Sequence, residues 1–485
     1  MALDEIRKTK IEKVEKLRKA GVDPYPASSG RTNKISEILE NWDTEILNNA
    51  KQFTLVGRVM ARREHGGSIF FDLRDGSGKI QGFIKEDVIG KEDFTRFLDL
   101  VDTGDFIEIT GTLFKTKKEE KTLQVTNYKL LSKALLPLPE KWHGLQDVEE
   151  RLRKRYLDLI MNPNEKELFV KKNVFWQTVR IFLAKQGGLE VETPILERIP
   201  GGADAEPFTT HLNALDVDLY LRISLELNLK RLIVAGYEKV FEIGRIFRNE
   251  GIDKEHLQDY TQMEMYWAYT DYEELMGLVK DLLTETVKAT IGGLSHEYQG
   301  HKINWSGGWK KYDYYDEFKE HTGLDLSNAL EKELKKYAGN EGIETGKHHG
   351  RGRLIDVIFK KKVRPHLIEP GFLVLPPADI EPLAKRWPKD INRVERFQVM
   401  AGGTELGKGF SELNDPQDQR QRFEEQTKLR EAGDKEAQRL DEDFIEALEY
   451  GMPPTAGFGM SERFFAFIMD KPVRETVFFP LMRPK

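Results

Sequence analysis

The chain has 485 residues, 39% hydrophobic and 32% charged, with a net charge of -7 from 75 basic and 82 acidic side chains. At roughly 150 residues per domain the length suggests several domains, and the mixture excludes a disordered chain. Cysteine is absent, which excludes a disulfide scaffold, a thiol nucleophile and a Cys-ligated metal, and a reducing cytoplasm is the expected setting. No apolar run approaches the length of a membrane span, and MALDEIRKTKIEK carries no apolar signal region. The acidic balance still permits a nucleic-acid partner, because binding needs only a local basic surface.

Residues 1–20 hold seven Lys/Arg against four acids. Ile6, Lys10, Lys13 and Leu17 follow helical spacing, Ile11 and Val14 widen the apolar stripe, and Gly21, Pro24 and Pro26 end the helix. Charge alone favours a solvated helix over a phosphate-binding arm. Five short strands are predicted next, in FTLVGRVMARR, SIFFDLRD, KIQGFIK, DFIEITGTLFKT and TLQVTNYKLLS, with Gly-bearing turns between the first three. Five strands in so short a span predict a small closed barrel of the OB type over 51–135, preceded by a basic helix and extension over 1–50. Phe70, with Arg62, Arg63 and Gln81 on nearby strands, suits stacking and edge-reading of unpaired bases. The same Phe70 and Phe71 also read as ordinary in-and-out barrel residues, and the pattern alone leaves both open.

Residues 136–165 read as a linker with a charged helix, and 166–485 as a second domain of mixed helices and strands. Helices are predicted over 173–187 and 271–293. The region 294–375 is read as an insertion, and the pair His348-His349 in it as solvated rather than metal-binding. No G-x-G-x-x-G follows a strand and no G-x-x-x-x-G-K-[ST] occurs, so a Rossmann or P-loop nucleotide site is unsupported.

The richest segment is 238–269. Strand alternation puts Phe241, Ile243, Phe247, Met263, Met265 and Trp267 on one side, and Ile246, Arg248, Glu250, Tyr260, Gln262, Glu264 and Tyr266 on the other. At 405–415 the same alternation sets Lys408, Phe410 and Glu412 on one face. At 451–463 a Pro-Pro turn leads through small residues to Arg463. Two guanidinium forks, several carboxylates and two stacking rings suit an anionic nucleotide beside a cationic small molecule. A buried ion-pair network would use the same residue types.

FRNEGIDKEHLQDYTQME resembles motif 2 of class II aminoacyl-tRNA synthetases, GGLEVETPIL around Pro194 resembles motif 1, and GMPPTAGFGMSERFF resembles motif 3. PGGADAEPFTTHLNALDVDLYLRISLEL, EMYWAY, GFSELND and the terminal FFPLMRPK are similar to the class II lysyl-tRNA synthetases in particular. The resemblance implies an α+β fold, with an N-terminal OB barrel followed by a catalytic domain built on a mainly antiparallel sheet flanked by helices. It implies a homodimer that activates L-lysine with ATP and Mg2+ and charges lysine tRNA. Arg62, Phe70 and Gln81 would contact the anticodon. Arg248, Glu250, His256, Tyr260 and Arg463 would hold ATP, with Arg248 and Arg463 serving catalysis. Gly202, Glu226, Arg248, Glu264, Tyr266, Lys408, Phe410 and Glu412 would hold lysine, with Gly202 and Glu226 at its α-amino group and Glu264, Tyr266 and Glu412 at its ε-ammonium. Glu405 would carry the metal, together with Gln398, which stands where the family has a second Glu. The chain also has Tyr260 for the usual Phe, Lys408 for the usual Asn, and a motif 3 one residue short with Glu462 for Asp. An aspartyl or asparaginyl relative, or a tRNA-binding paralogue that does not ligate, shares the same motifs.

Overall fold

The computed structural model describes residues 3–48, 51–139, 147–251, 256–346, 349–431, 433 and 437–484. His348 and residues 252–255 of the motif 2 loop lie outside them. The chain divides into two compact units, 1–146 and 147–485.

The first unit is a closed barrel of β1 (Phe53–Glu64), β2 (Ser68–Arg74), β3 (Lys79–Lys85), β4 (Phe106–Lys115) and β5 (Lys121–Ser132), in the order β1-β2-β3-β5-β4. Alternate residues such as Leu55, Val59, Phe71, Leu73, Ile107 and Ile109 fill its interior, as the period of two requires. Gly82 is there because a Cβ would strike the Phe71 ring that crosses it. The helix α1 (Leu3–Lys19) departs from its predicted face at one residue. Val14, Leu17 and Lys10 are buried, whereas Ile11 is exposed. Lys13 reaches Asp102 at 2.7 Å, so part of the basic stripe is turned inward onto carboxylates rather than to solvent.

The second unit is built on an eight-stranded sheet. Its strands are β6 (Leu189–Glu190), β7 (Lys239–Phe247), β8 (Asp259–Ala268), β9 (Lys310–Asp313), β10 (Gly371–Val374), β11 (Arg396–Ala401), β12 (Thr404–Ser411) and β13 (Thr455–Ser461), in the order β9-β10-β11-β12-β13-β8-β7-β6. Only the two outermost pairings are parallel. The lower face carries Phe241, Met263, Met265, Trp267, Phe397, Val399 and Phe458. These pack with α3 (Pro163–Lys185) and α5 (Tyr272–Ile291) through Phe175, Val179, Leu275, Val279 and Leu283. Asp271 accepts from Glu273 N and Glu274 N to cap α5, and Gly292 in the left-handed region ends it.

Two boundaries move. Within the segment read as a linker with a charged helix, residues 163–165 begin α3, and residues 147–162 form two short helices of the second unit. There Arg155 and Asp158 are buried as an ion pair, and Arg155 also donates to Glu475 O at 2.8 Å. The insertion is also shorter than 294–375, because β9 and β10 belong to the main sheet. The residues between them, including α6 (Tyr314–Thr322), α7 (Glu331–Asn340) and α8 (Arg351–Lys362), gather a separate core around Phe318, Leu334, Ile355 and Ile358.

Candidate active site

The upper face of the large sheet opens into a cleft of about 660 Å3. Its shape follows from strand register. Gly459 of β13 lies opposite Glu264 of β8 on one side and Lys408 of β12 on the other. Gly457 likewise separates Tyr266 from Phe410. A strand without side chains on this face leaves a groove between two rows about 10 Å apart, at two strand spacings. A Cβ on Gly457 would collide with Glu412 Oε1 and the Tyr266 ring. All fourteen candidates for ATP, lysine and metal contacts line this one cleft: Gly202, Glu226, Arg248, Glu250, His256, Tyr260, Glu264, Tyr266, Gln398, Glu405, Lys408, Phe410, Glu412 and Arg463.

One end is acidic. Glu264, buried, accepts from Ser224 Oγ at 2.8 Å and Leu225 N at 3.2 Å through Oε1, and from Tyr266 OH at 2.9 Å through Oε2. Burial and the surrounding carboxylates push the Tyr266 hydroxyl well above its usual value, so it remains a donor. Glu226 and Glu412, expected at the substrate amines, are both also ion-paired to Lys230, a lysine with no exposed surface on α4 (Glu226–Val234). Burial outweighs that cation and pushes Glu226 up to about 7 and Glu412 well above the carboxylate range.

The other end is basic. Arg248 donates through Nε to Ile223 O at 3.2 Å and lies over the Tyr260 ring at 5.7 Å, which fixes its guanidinium plane. Arg463 starts a short helix directly after β13, and the shortened motif 3 still delivers it to the cleft. Glu462 is buried and pairs with Lys172 while accepting from Thr261 N at 3.3 Å, so it anchors that turn to α3 and β8. On the third side Gln398 Nε2 donates to Glu405 Oε2 at 2.7 Å. Lys408 Nζ lies 2.9 Å from Glu381, which Arg396 also approaches at 3.5 Å. Burial would raise Glu381, but Lys408 and Arg396 outweigh it and hold the carboxyl below its usual range. Sequence reading missed Lys230, Ser224, Glu381 and Arg396. The signal for Lys230 was a lysine four residues after Glu226 on the apolar side of a helix.

The barrel presents a second face. Phe70 stacks on Phe83 at 4.6 Å, and Phe83 meets Phe114 at 5.7 Å, all half-buried on the outside. Gln81 shares that face through the Asp72↔Gln81 and Phe70↔Phe83 pairs. Arg62 does not. It lies opposite Phe71, whose ring is in the core, and its Nη1 donates to Leu98 O at 2.9 Å and Val101 O at 2.5 Å near the end of α2 (Lys91–Leu100). Arg63, exposed and opposite Phe70, stands in the predicted place.

Residues 147–483 match the family model described as tRNA synthetases class II (D, K and N), and residues 53–131 match the OB-fold nucleic acid binding domain. The lysine–tRNA ligase of Thermotoga maritima is 45% identical over the whole chain and 97% of its own length. That of Roseiflexus castenholzii is 44% identical over the full length of both. That of Bacillus subtilis is 42% identical over 98% of the chain and 96% of its own length. The chain belongs to the lysine–tRNA ligases of class II. The family description spans aspartate, asparagine and lysine enzymes. Within it, a lysine–tRNA ligase suits the acidic end formed by Glu226, Glu264 and Glu412, which would repel an acidic side chain.

Proposed function

We propose that this cleft joins L-lysine to ATP, forming lysyl-adenylate, and then passes the lysyl group to the 3′ end of lysine tRNA. The observation that carries this is the pairing of a carboxylate-lined end with an arginine-bearing end in one groove. The lysine carboxylate attacks the α-phosphorus in line, the bond to the β-phosphate oxygen breaks, and pyrophosphate leaves. A terminal ribose hydroxyl of the tRNA then attacks the activated carbonyl and AMP leaves. No protein nucleophile is needed, so positioning and charge stabilisation carry the rate. Arg248 spans the α-phosphate and the lysine carboxylate. Glu250 and Tyr260 receive adenine, and His256 and Arg463 take the distal phosphates. Gly202 and Glu226 meet the α-amino group, Glu264, Tyr266 and Glu412 the ε-ammonium, and Phe410 its stem. Lys408, held charged by Glu381, which outweighs burial, faces the lysine carboxylate.

Magnesium fits as one ion carried by the substrate phosphates, a mode that needs only one or two protein carboxylates. Glu405 would be that carboxylate. Gln398 turns its amide nitrogen to Glu405 and so orients it rather than ligating. Among the described residues no group of three or more His, Asp or Glu is arranged for a metal. A bound magnesium would offset phosphate charge.

The barrel face reads the anticodon, with Phe70 as stacking ring and Arg63 and Gln81 as polar contacts. Exposed Leu189, Ile195 and Leu196 around motif 1, with Val170 and Ile181 of α3, support a homodimer, which light scattering would test. No helix among the described residues is long and apolar enough to cross a membrane, and the cytoplasm is the compartment we propose. Lysine-dependent ATP–pyrophosphate exchange tests the central reading. Exchange with lysine and not with aspartate or asparagine is expected, and exchange driven by either of those would overturn it.

A further inference from the structure

Beside the acidic end of the cleft lies Lys230. It lines no part of the cleft. Its Nζ is 2.5 Å from Glu226 Oε1 and ion-paired with Glu412 Oε2, with the Phe410 and Phe444 rings at 5.5 and 5.9 Å. The charged and titratable groups around Glu412 come from four elements. The helix α4 brings Glu226 and Lys230, β8 brings Glu264 and Tyr266, β12 brings Lys408, and the segment 378–384 brings Glu381. Lys408 and Arg396 are set against Glu381 and the neighbouring Asp204. What remains is three carboxylates, Glu226, Glu264 and Glu412, against one ammonium. Buried carboxylates in excess are costly unless paired or protonated.

We propose that Lys230 is a positioning residue for amino-acid selection, clamping Glu226 and Glu412 at the acidic end so that the site stands two positive charges short, the number of ammonium groups on a diamino acid. The proposal rests on the lysine-activating reading above. In the free protein a proton supplies part of the missing charge. When the substrate's ammonium groups enter, the carboxyl group loses that proton to solvent and becomes a carboxylate. The raised Glu226 and Glu412 agree with this.

The test uses the full chain. Calorimetric titration of L-lysine in buffers of different ionisation enthalpy should show release of on the order of half a proton or more at pH 6.5, shrinking by pH 8.5 as the free carboxyls ionise. Lys230→Met and Glu412→Gln should each raise the lysine KM by roughly 30-fold or more while leaving the ATP KM within about threefold. The double variant Lys230→Met/Glu412→Gln restores the two-charge deficit. It should bind lysine about tenfold better than either single variant, and it remains informative if Lys230→Met alone does not fold. No proton release between pH 6 and 8, a folded Lys230→Met with unchanged lysine KM, or a double variant no better than Glu412→Gln would each overturn the proposal. Absence of lysine-dependent exchange in the unmodified chain would instead remove the reading beneath it.

Discussion

Each unit of this molecule buries a lysine between two carboxylates, and the two clusters are built to opposite ends. In the barrel, Lys133 has no exposed side-chain surface and reaches Asp102 at 2.6 Å, Asp105 at 2.7 Å and Leu100 O at 2.6 Å. Asp105 also accepts from Asp102 N and Ala134 N, and Lys13 adds a second cation on Asp102. Charges balance and donors meet acceptors. In the cleft, Lys230 faces Glu226 and Glu412, Glu264 stands nearby, and neither Glu412 oxygen has a hydrogen-bond donor beyond the ion contact among the described residues. A saturated buried network holds a fold together. An unsaturated one waits for a ligand.

The sharpest way to break that contrast is to remove one charge from each cluster. Glu264→Gln should raise the lysine KM on the order of 100-fold with little change in the ATP KM, since a desolvated ammonium loses a charged partner. Equal changes in both constants would show that the acidic end is not the amino-acid pocket. Lys133→Met should destabilise the barrel by about 3–5 kcal/mol, because two buried aspartates lose their common cation. Denaturant unfolding measures this, and lysine-dependent exchange should persist where the second unit stays folded. Phe70→Ala should lower tRNA charging by an amount equivalent to about 1–3 kcal/mol, the usual worth of one base–aromatic stack, and leave adenylate formation intact. A parallel fall in adenylate formation would deny the barrel a separate reading role.

The smallest effect is in pH. Glu226 and Glu412 are raised in the folded protein, and Glu197 is pushed up to about 8 by burial. The fold therefore binds more protons than the unfolded chain above the ordinary glutamate pKa of about 4.3. The sign is that stability present at low pH is lost as pH rises through about 7 to 8. Thermal unfolding should show a lower Tm at pH 8.5 than at pH 5.5. Saturating lysine should reduce the difference, since it supplies the cations that the Glu226 and Glu412 protons replace. An unchanged pH slope with lysine would separate these carboxyls from the substrate.

Strand alternation made most of this site legible. In 259–268 the residues on one parity, Tyr260, Gln262, Glu264 and Tyr266, are polar, Lys408 and Glu412 share a parity further on, and the two strands join one sheet whose faces meet in the cleft. Arg62 shows where alternation fails. A bulge between Val59 and Ala61 shifts the register of β1 by one residue, which sends Arg62 to the side of Phe71 and leaves Arg63 beside Phe70. Lys230 shows a different limit. Its neighbours Leu229 and Ile233 are core residues, so the helix reads as an amphipathic segment with one misplaced charge.

By itself the sequence determined the barrel, the paired motifs and the polar face of the sheet, because hydrophobic period and turn residues act between near neighbours. Tertiary structure alone decided which charges meet. Glu226 and Lys230 lie one helical turn apart, but Glu412, just after β12, joins them only in the folded sheet. Coulombic balance in a buried site depends on distances and desolvation that no linear spacing encodes.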